Sequence, residues 1–448
     1  MFSLSDGVRP SPLQSRTAAV ASPRRRLTAI AALWLPFLCG GWPAHAQDVF
    51  PLADETQVRA LVEEALSRNP AIRAARERAL SATRRPDQAA ALPDPMVSMG
   101  YDKGDAWLPG GGPDTGPRIA VSQELPGRGK RRLLRDIATR DAELSSHAIS
   151  GVTLGVTYAV RRAVSDLLLA RENIAIIQDQ RRAMADIEEL TRARYSAGLA
   201  TQLDVLRAQA ELARFDQMCA HEEGVVTAAI AEINRERGQP SGTPVDLSVR
   251  LTELAGREIA VPPLEELLTR LHGLSPEVRA ALTMIARDEL ALDLAKKRLK
   301  PDFVVSSGYA LRGSLPDRFT VDVGVILPAY RKTKQRQAIA EAEMSLQAAR
   351  SAREAEDLRV RSAVERAHAD FKASVIEART IEKQVLVIDA LAVESALAGF
   401  RSGQTPFIAV LEATSVLYED RRKHAELLYH VLWHSALLDA LGMERQTS

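Results

Sequence analysis

Two histidines near the end of the chain have the spacing of a metal-binding pair. His430 and His434 lie four residues apart, so on a helix their imidazoles are one turn apart and can share a zinc or copper ion. A structural zinc site needs four ligands, and the nearest other histidine, His424, lies six residues before the pair. The pattern therefore favours two polar helix residues, and the sequence predicts neither a resident metal nor another cofactor.

The other reactive residue types do not form a catalytic motif. His221 is followed by Glu222 as in a zinc-protease helix, but the second histidine of that motif is missing. The segment 127–131 contains two glycines and Lys130, but it lacks the first glycine of a phosphate-binding loop and the hydroxyl residue after the lysine. We therefore predict that the chain is not an enzyme.

The composition of the 448-residue chain is typical of a protein built from long helices. Only 4% of its residues are aromatic and 26% are charged. Alanine, leucine, arginine and glutamate are abundant, and these side chains lose little rotamer freedom in a helix. A mean hydropathy of −0.13 argues against a bundle of membrane-spanning helices. The net charge of +1 gives no overall attraction to nucleic acid.

The first 46 residues read as a signal peptide. Three arginines at 24–26 precede an apolar run at 27–39, and residues 44–46 are Ala-His-Ala, the small-x-small pattern of a cleavage site. Of the two cysteines in the chain, only Cys219 would remain after cleavage, so we expect no internal disulfide. The pattern predicts export from the cytoplasm.

The most informative feature is an internal duplication with an offset of about 205 residues. Matched pairs are Asn69-Pro70 with Ser275-Pro276, Pro93-Asp94 with Pro301-Asp302, Leu125-Pro126 with Leu327-Pro328, and Gly198 with Gly403. A unit of this length is too long for a solenoid repeat. We predict a first repeat over 47–238, a linker over 239–263 and a second repeat over 264–448.

Each repeat contains two runs in which apolar residues alternate with polar or small ones. The clearest is 319–327, where Phe319, Val321, Val323 and Val325 alternate with smaller or polar residues. Alternation with period two is typical of strands that have one apolar face. We predict strands over about 95–102 and 117–125 in the first repeat, and over about 302–311 and 318–327 in the second.

Long helical segments surround the strands in both repeats. Segments 54–90 and 264–300 have the periodicity of amphipathic helices, and residues 129–196 and 329–405 contain no proline. At 1.5 Å per residue, each proline-free segment predicts a helix of about 100 Å. Both break at a glycine, Gly198 or Gly403, and a second helix then returns. The predicted helix hairpins are 129–237 and 329–441.

Four strands of this kind cannot form a closed barrel within one chain. If the apolar faces contact lipid, each unpaired edge strand would leave backbone groups without hydrogen bonds in hydrocarbon. Closure therefore requires several copies of the chain: two copies supply eight strands, and three supply twelve.

Basic residues cluster where strand gives way to helix. The first cluster contains Arg128, Lys130, Arg131, Arg132 and Arg135, and the second contains Arg331, Lys332, Lys334 and Arg336. Nucleic-acid binding is disfavoured because the protein is exported and no aromatic stacking residues interleave with the cations. Two explanations stay open: basic side chains that reach toward anionic lipid headgroups, and an ordinary solvated helix start.

The order of these motifs, repeated twice, resembles that of the TolC-like outer-membrane efflux ducts. The segment 123–131, Gln-Glu-Leu-Pro-Gly-Arg-Gly-Lys-Arg, is most similar to the heavy-metal-cation branch of that family. The resemblance implies a mainly α-helical homotrimer with a twelve-stranded β-barrel in the outer membrane of a Gram-negative bacterium. An α-helical barrel would extend into the periplasm, and the partners would be a periplasmic adaptor and an inner-membrane RND-type pump.

The resemblance also implies roles for particular residues. The turns that face the adaptor would be Ala197, Gly198 and Leu199 in the first hairpin, and Ser402, Gly403 and Gln404 in the second. An acidic gate would map to Asp204 and Glu412. A family gate arginine corresponds to Thr405 here and a second family aspartate to Ala409, so another set, involving Arg207, is expected to close the tips. The alternative for Asp204 is an acid that stabilises the start of its helix.

The function expected from these observations is that of a passive exit duct, with heavy-metal cations as the favoured cargo and drugs or organic compounds as the alternative. A periplasmic or secreted coiled-coil structural protein is the competing interpretation. The clean alternation of 319–327 argues against that interpretation, because such a strand exposes an apolar face that needs a cover.

Overall fold

The computed structural model describes residues 56–102, 116–255, 261–312 and 315–442. The predicted signal peptide, residues 1–46, lies outside this part of the chain. So do the loop that joins the first two strands, residues 103–115, and part of the predicted linker.

Each half opens with helices, and in each half one of them begins at the repeated Asn-Pro or Ser-Pro motif. The first half has α1 (Thr56–Arg68), α2 (Pro70–Ala82) and α3 (Arg85–Ala90), and the second has α7 (Leu264–Leu274) and α8 (Pro276–Lys297). The Asn69 side chain accepts hydrogen bonds from the backbone N–H groups of Ala71 and Ile72. Because Asn69 caps a new helix and Pro70 occupies its first position, α1 ends and α2 begins at this motif. A second break, at Thr83 and Arg84, separates α2 from α3.

The four strands form one antiparallel sheet in chain order. They are β1 (Met96–Asp102), β2 (Gly116–Leu125), β3 (Asp302–Ala310) and β4 (Arg318–Ile326). The pairing of β2 with β3 joins the two repeats. Within the described residues, β1 pairs only with β2 and β4 only with β3, so both edges of the sheet are open.

One face of this sheet is apolar and exposed. The register places Met99, Ile119, Tyr309 and Phe319 in one row across the four strands, and residues directly opposite in antiparallel pairs project to the same face. These four residues are 83%, 44%, 45% and 66% exposed. The adjacent row on the other face consists of Ser98, Ala120, Gly308 and Thr320. The sheet therefore has one apolar face and one small, polar face.

Two long helical hairpins follow the strands. In the first, α4 (Lys130–Ser196) has 67 residues and α5 (Gln202–Arg237) returns beside it. In the second, α9 (Arg336–Thr380) and α10 (Leu386–Ser402) continue one another, and α11 (Phe407–Gly442) returns. The predicted long helix of the second repeat is interrupted by two π-helical turns, at Arg331–Gln335 and Ile381–Val385. A π turn accommodates one extra residue without ending the helix, and proline or glycine content does not reveal it.

The largest hydrophobic core lies where the two repeats meet. It contains Ala65, Val160, Leu167, Ile233 and Leu251, from α1, α4, α5 and the short helix α6 (Leu251–Ala255) of the predicted linker. Residues of α11 belong to the same core. The two hairpins therefore pack through α4 and α11. Among the helices that the structure describes, none is both long enough and apolar enough to span a membrane.

Candidate functional site

The turn between α4 and α5, the first tip, is closed by a glycine. Gly198 has φ +73°, a left-handed conformation that favours glycine. Its N–H donates to the Tyr195 carbonyl oxygen at 2.9 Å, and the Leu199 N–H donates to the Arg194 carbonyl oxygen at 2.8 Å. These bonds satisfy carbonyl groups at the end of α4. Leu199 is 64% exposed, so the first tip presents an apolar side chain at its end.

The second tip, between α10 and α11, has the same construction. Gly403 has φ +76°, and the Gln404 N–H donates to the Gly399 carbonyl oxygen at 2.8 Å. The six residues predicted to face an adaptor are all exposed: Ala197, Gly198, Leu199, Ser402, Gly403 and Gln404.

Arg194 connects the two tips. Its guanidinium donates to the Arg401 carbonyl oxygen at 3.1 Å and to the Leu199 carbonyl oxygen at 3.4 Å. The same group lies over the Phe400 ring, 4.8 Å from its centroid, in the geometry of a cation–π contact. Arg194 was not predicted from the sequence, because the arginine precedes the first tip while Arg401 and Phe400 belong to the second hairpin. The one related signal in the sequence is Thr405, which stands where the family has a gate arginine and so indicates that another residue holds the tips together.

An aromatic cluster lies directly behind the tips. Phe400 and Phe407 meet edge to face with ring centroids 6.0 Å apart, and Phe215 and Tyr418 do so at 5.5 Å. Burial raises the pKa of the Tyr418 hydroxyl. All four rings are at least nine-tenths buried, so this cluster fixes the second hairpin against the first just behind the turns.

Asp204 is bound within its own turn. Its Oδ2 atom accepts hydrogen bonds from the Thr201 N–H at 3.1 Å and from the Thr201 hydroxyl at 2.8 Å. The Asp204 N–H donates to the Thr201 hydroxyl oxygen in return, which completes a capping box at the start of α5. Glu412 and Arg207, the other residues assigned to the gate by sequence, are exposed. A gate role for Asp204 must therefore coexist with a capping role.

A pair of carboxyl groups joins α10 to α11 above the second tip. Burial raises the pKa of the Asp389 carboxyl, and a hydrogen bond to Asp420 together with the negative charge of that residue raises it further. The negative charge of Asp420 thus favours the protonated form of the Asp389 carboxyl. This pair was not predicted from the sequence, because its members are 31 positions apart and meet only through the hairpin.

Most of the predicted basic residues at the strand ends are exposed. They are Arg128, Arg131, Arg132, Arg135, Arg331, Lys332, Lys334 and Arg336. Lys130 differs, because its ammonium group is buried and binds both carboxylate oxygens of Asp302 at 2.8 and 2.9 Å. This lysine therefore connects the two repeats and does not reach the surface.

The histidine pair lies in an aromatic part of α11. The rings of His430 and His434 are stacked with centroids 6.0 Å apart. His434 is buried, which lowers the pKa of its imidazole, while Asp370 acts in the opposite direction. Glu426 lies 4.0 Å from Nε2 of His430, a carboxylate neighbour not considered from the sequence. Within the described ranges, no group of three or more histidine, cysteine or acidic residues is placed to hold a metal ion.

Comparisons with known proteins agree with this architecture. Residues 61–235 match the family described as outer membrane efflux protein. The cobalt-zinc-cadmium resistance protein CzcC of Cupriavidus metallidurans is 23% identical over 315 residues, which cover 70% of this chain and 73% of CzcC. The outer membrane protein TolC of Vibrio cholerae is 25% identical over 341 residues, covering 72% and 76% of the two chains.

The solved outer-membrane channel OprN has the same fold. It superposes with a TM-score of 0.75 at 21% identity, and the aligned part covers 88% of this chain and 91% of OprN. The arrangement of a strand sheet continued by long helical hairpins is therefore a known one.

Proposed function

We propose that the chain is a TolC-like outer-membrane efflux protein and that three copies assemble into the exit duct of a tripartite efflux system. Its strands belong to the outer membrane and its helices extend into the periplasm. Proteins of this family are channels and not enzymes, so the duct is passive and the energy for export comes from a partner.

The observation that carries the proposal is the uncovered apolar face of a sheet with two open edges. In a bilayer, the apolar face of the sheet would contact lipid hydrocarbon instead of water. The unpaired backbone N–H and C=O groups at the outer edges of β1 and β4 would then need hydrogen-bond partners, which only a closed barrel supplies. Three four-stranded sheets supply twelve strands, enough for a barrel with an open interior. A coiled-coil protein in the periplasm would leave the row from Met99 to Phe319 in water.

The tips support the second part of the proposal, which concerns partners. We assign the exposed turns at Gly198 and Gly403 to contact with a periplasmic adaptor, which in turn binds an inner-membrane RND-type pump. Asp204 and Glu412 lie close behind these turns, and three copies of each around one axis would form acidic rings. The exposed basic residues after β2 and β4 are assigned to the membrane interface, where anionic headgroups favour them.

Heavy-metal cations are the proposed cargo. The support is the similarity to CzcC, a protein named for cobalt, zinc and cadmium resistance, and the segment 123–131. A duct does not need to bind its cargo tightly, so a high-affinity site for the ion is not required for this function.

A deletion strain tests the function. Loss of the gene is expected to increase sensitivity to cobalt, zinc, cadmium or copper salts, and a plasmid copy should restore resistance. If the deletion strain becomes sensitive to drugs or organic solvents while its metal tolerance is unchanged, the proposed cargo is wrong and the proposed efflux duct is retained. Unchanged tolerance to both classes, in a strain without related ducts, would contradict an efflux role.

A further inference from the structure

An ionic clamp holds the end of β2 against the start of β3. We define this clamp as Lys130, Asp302 and the Gly127 N–H. Lys130 Nζ contacts both Asp302 carboxylate oxygens and also donates to the Lys300 carbonyl oxygen at 2.8 Å. The Gly127 N–H donates to Asp302 Oδ1 at 2.5 Å. The clamp joins the chain leaving β2 to the chain entering β3, and these two strands come from different repeats.

The duplication supplies a second copy of both charged residues of the clamp. Lys130 follows Leu125 by five residues, and Lys332 follows Leu327 by five residues. Asp302 follows Pro301, and Asp94 follows the matching Pro93. Lys332 and Asp94 are both exposed, in contrast to the buried Lys130. The second clamp therefore has both charged members but is not assembled within one chain.

The position of the two residues explains why. Asp94 precedes β1 and Lys332 follows β4, so they lie at opposite edges of the sheet. Three strand spacings separate these edges, a distance of about 14 Å, which is too far for an ion pair. A neighbouring copy would bring its β1 beside β4 and so place its own Asp94 near Lys332.

We propose that Lys332 of each copy forms an ion pair with Asp94 of the neighbouring copy, repeating between subunits the clamp that Lys130 and Asp302 form within one subunit. The inference rests on the proposed trimer and specifies which edges meet and in which register. In a closed ring each copy contributes one Lys332 and one Asp94, so three such clamps encircle the barrel where its strands join the helices. Lys332 is then held by Asp94 of the neighbouring copy, and the other exposed basic residues after β2 and β4 are the ones left for lipid headgroups.

The register implied by this pairing also matches the apolar pattern. Within the chain, Leu125 lies opposite Phe303. In the duplication Leu125 corresponds to Leu327 and Phe303 to Pro95, so the equivalent pair between subunits is Leu327 opposite Pro95 of the neighbouring copy. The same register places Val325 opposite Val97 and Val323 opposite Met99. All four of these valine and methionine side chains are exposed in the single chain. A one-residue slip would set apolar against polar residues, so charge and apolar pattern select the same register.

Crosslinking tests the pairing directly. In a Cys219→Ser background, the double variant Asp94→Cys/Lys332→Cys is treated in outer membranes with a short bifunctional maleimide and run on a denaturing gel. We expect covalent dimers and trimers, because the two thiols lie in different subunits. The matched control Asp94→Cys/Lys334→Cys, with its second thiol two residues further along the π turn, is expected to give much less product.

Charge reversal provides an independent test that does not depend on the crosslinker. Asp94→Lys and Lys332→Asp should each lower the temperature at which the unheated oligomer band disappears, and the double reversal should recover most of the loss. Reversal of Lys334 alone should have little effect.

The outcomes separate this inference from the proposed function. If the Cys219→Ser protein gives an oligomer band but the Asp94/Lys332 pair gives no covalent product and no recovery by charge swap, the proposed register is wrong and the trimer stands. If no oligomer forms in any variant or in the parent, the trimer itself is refuted, and the inference with it.

Discussion

Removal of the Arg194 side chain should loosen the contact between the first and second tips of one subunit. The guanidinium makes one hydrogen bond to the second tip and one cation–π contact with Phe400. A charge-assisted hydrogen bond in a partly exposed position contributes about 1 kcal/mol, and an exposed cation–π contact contributes roughly 0.5–1 kcal/mol. Arg194→Ala should therefore destabilise the packing of the two tips by about 1–2 kcal/mol per subunit, a five- to thirty-fold change in the ratio of packed to separated tips.

Single-channel conductance in planar bilayers measures this effect. We expect Arg194→Ala channels to show a higher mean conductance or more frequent openings than the parent. The matched control is Arg207→Ala, an exposed arginine behind the first tip and the residue that sequence reasoning favoured. Equal conductance of the parent and Arg194→Ala, or an equal increase with Arg207→Ala, would refute the assignment of the tip contact to Arg194.

Three further perturbations follow from the structure. Lys130→Met leaves the Asp302 carboxylate unpaired and should destabilise the fold by about 3 kcal/mol, measured as a lower midpoint of thermal unfolding; an unchanged midpoint would contradict the clamp. Thr201→Ala removes the cap at a cost of about 1 kcal/mol, whereas Asp204→Asn keeps a capping oxygen and removes a charge, so only Asp204→Asn should weaken the block of conductance by divalent cations in planar bilayers. Burial holds the pKa of His434 below 6.5, so the unfolded chain takes up this proton at higher pH than the folded one. Stability should be full above about pH 6.5 and fall as the pH drops toward the folded-state pKa, and His434→Gln should flatten this slope in circular-dichroism melts.

Periodicity predicts the elements of this fold well because both periods are clean. The alternation at 319–327 and the lack of proline at 129–196 are local signals, and the structure has a strand and a helix there. Breaks that depend on one residue were harder to predict. The cap at Asn69 divides a segment whose periodicity continues on both sides, and the π turn at Ile381–Val385 occurs in a segment without an unusual composition.

Contacts at the site were the part that the sequence could not supply. Arg194 and the second tip are separated by about 200 residues, and which arginine reaches that tip depends on how the two hairpins pack. The basic neighbours of Lys130 predicted that it belongs to an exposed cluster. In the structure its side chain is buried because it forms an ion pair with Asp302. Side-chain roles of this kind follow from tertiary packing, which overrides local composition.

The most direct test of the account is the mass of the protein in outer membranes. Membrane fractions from expressing cells are extracted with mild detergent and run on a gel without heating and after heating. We expect an unheated species of three chains that converts to a single chain on heating. A single chain that is released from cells without detergent would contradict it, because the apolar face of the sheet would then never meet lipid.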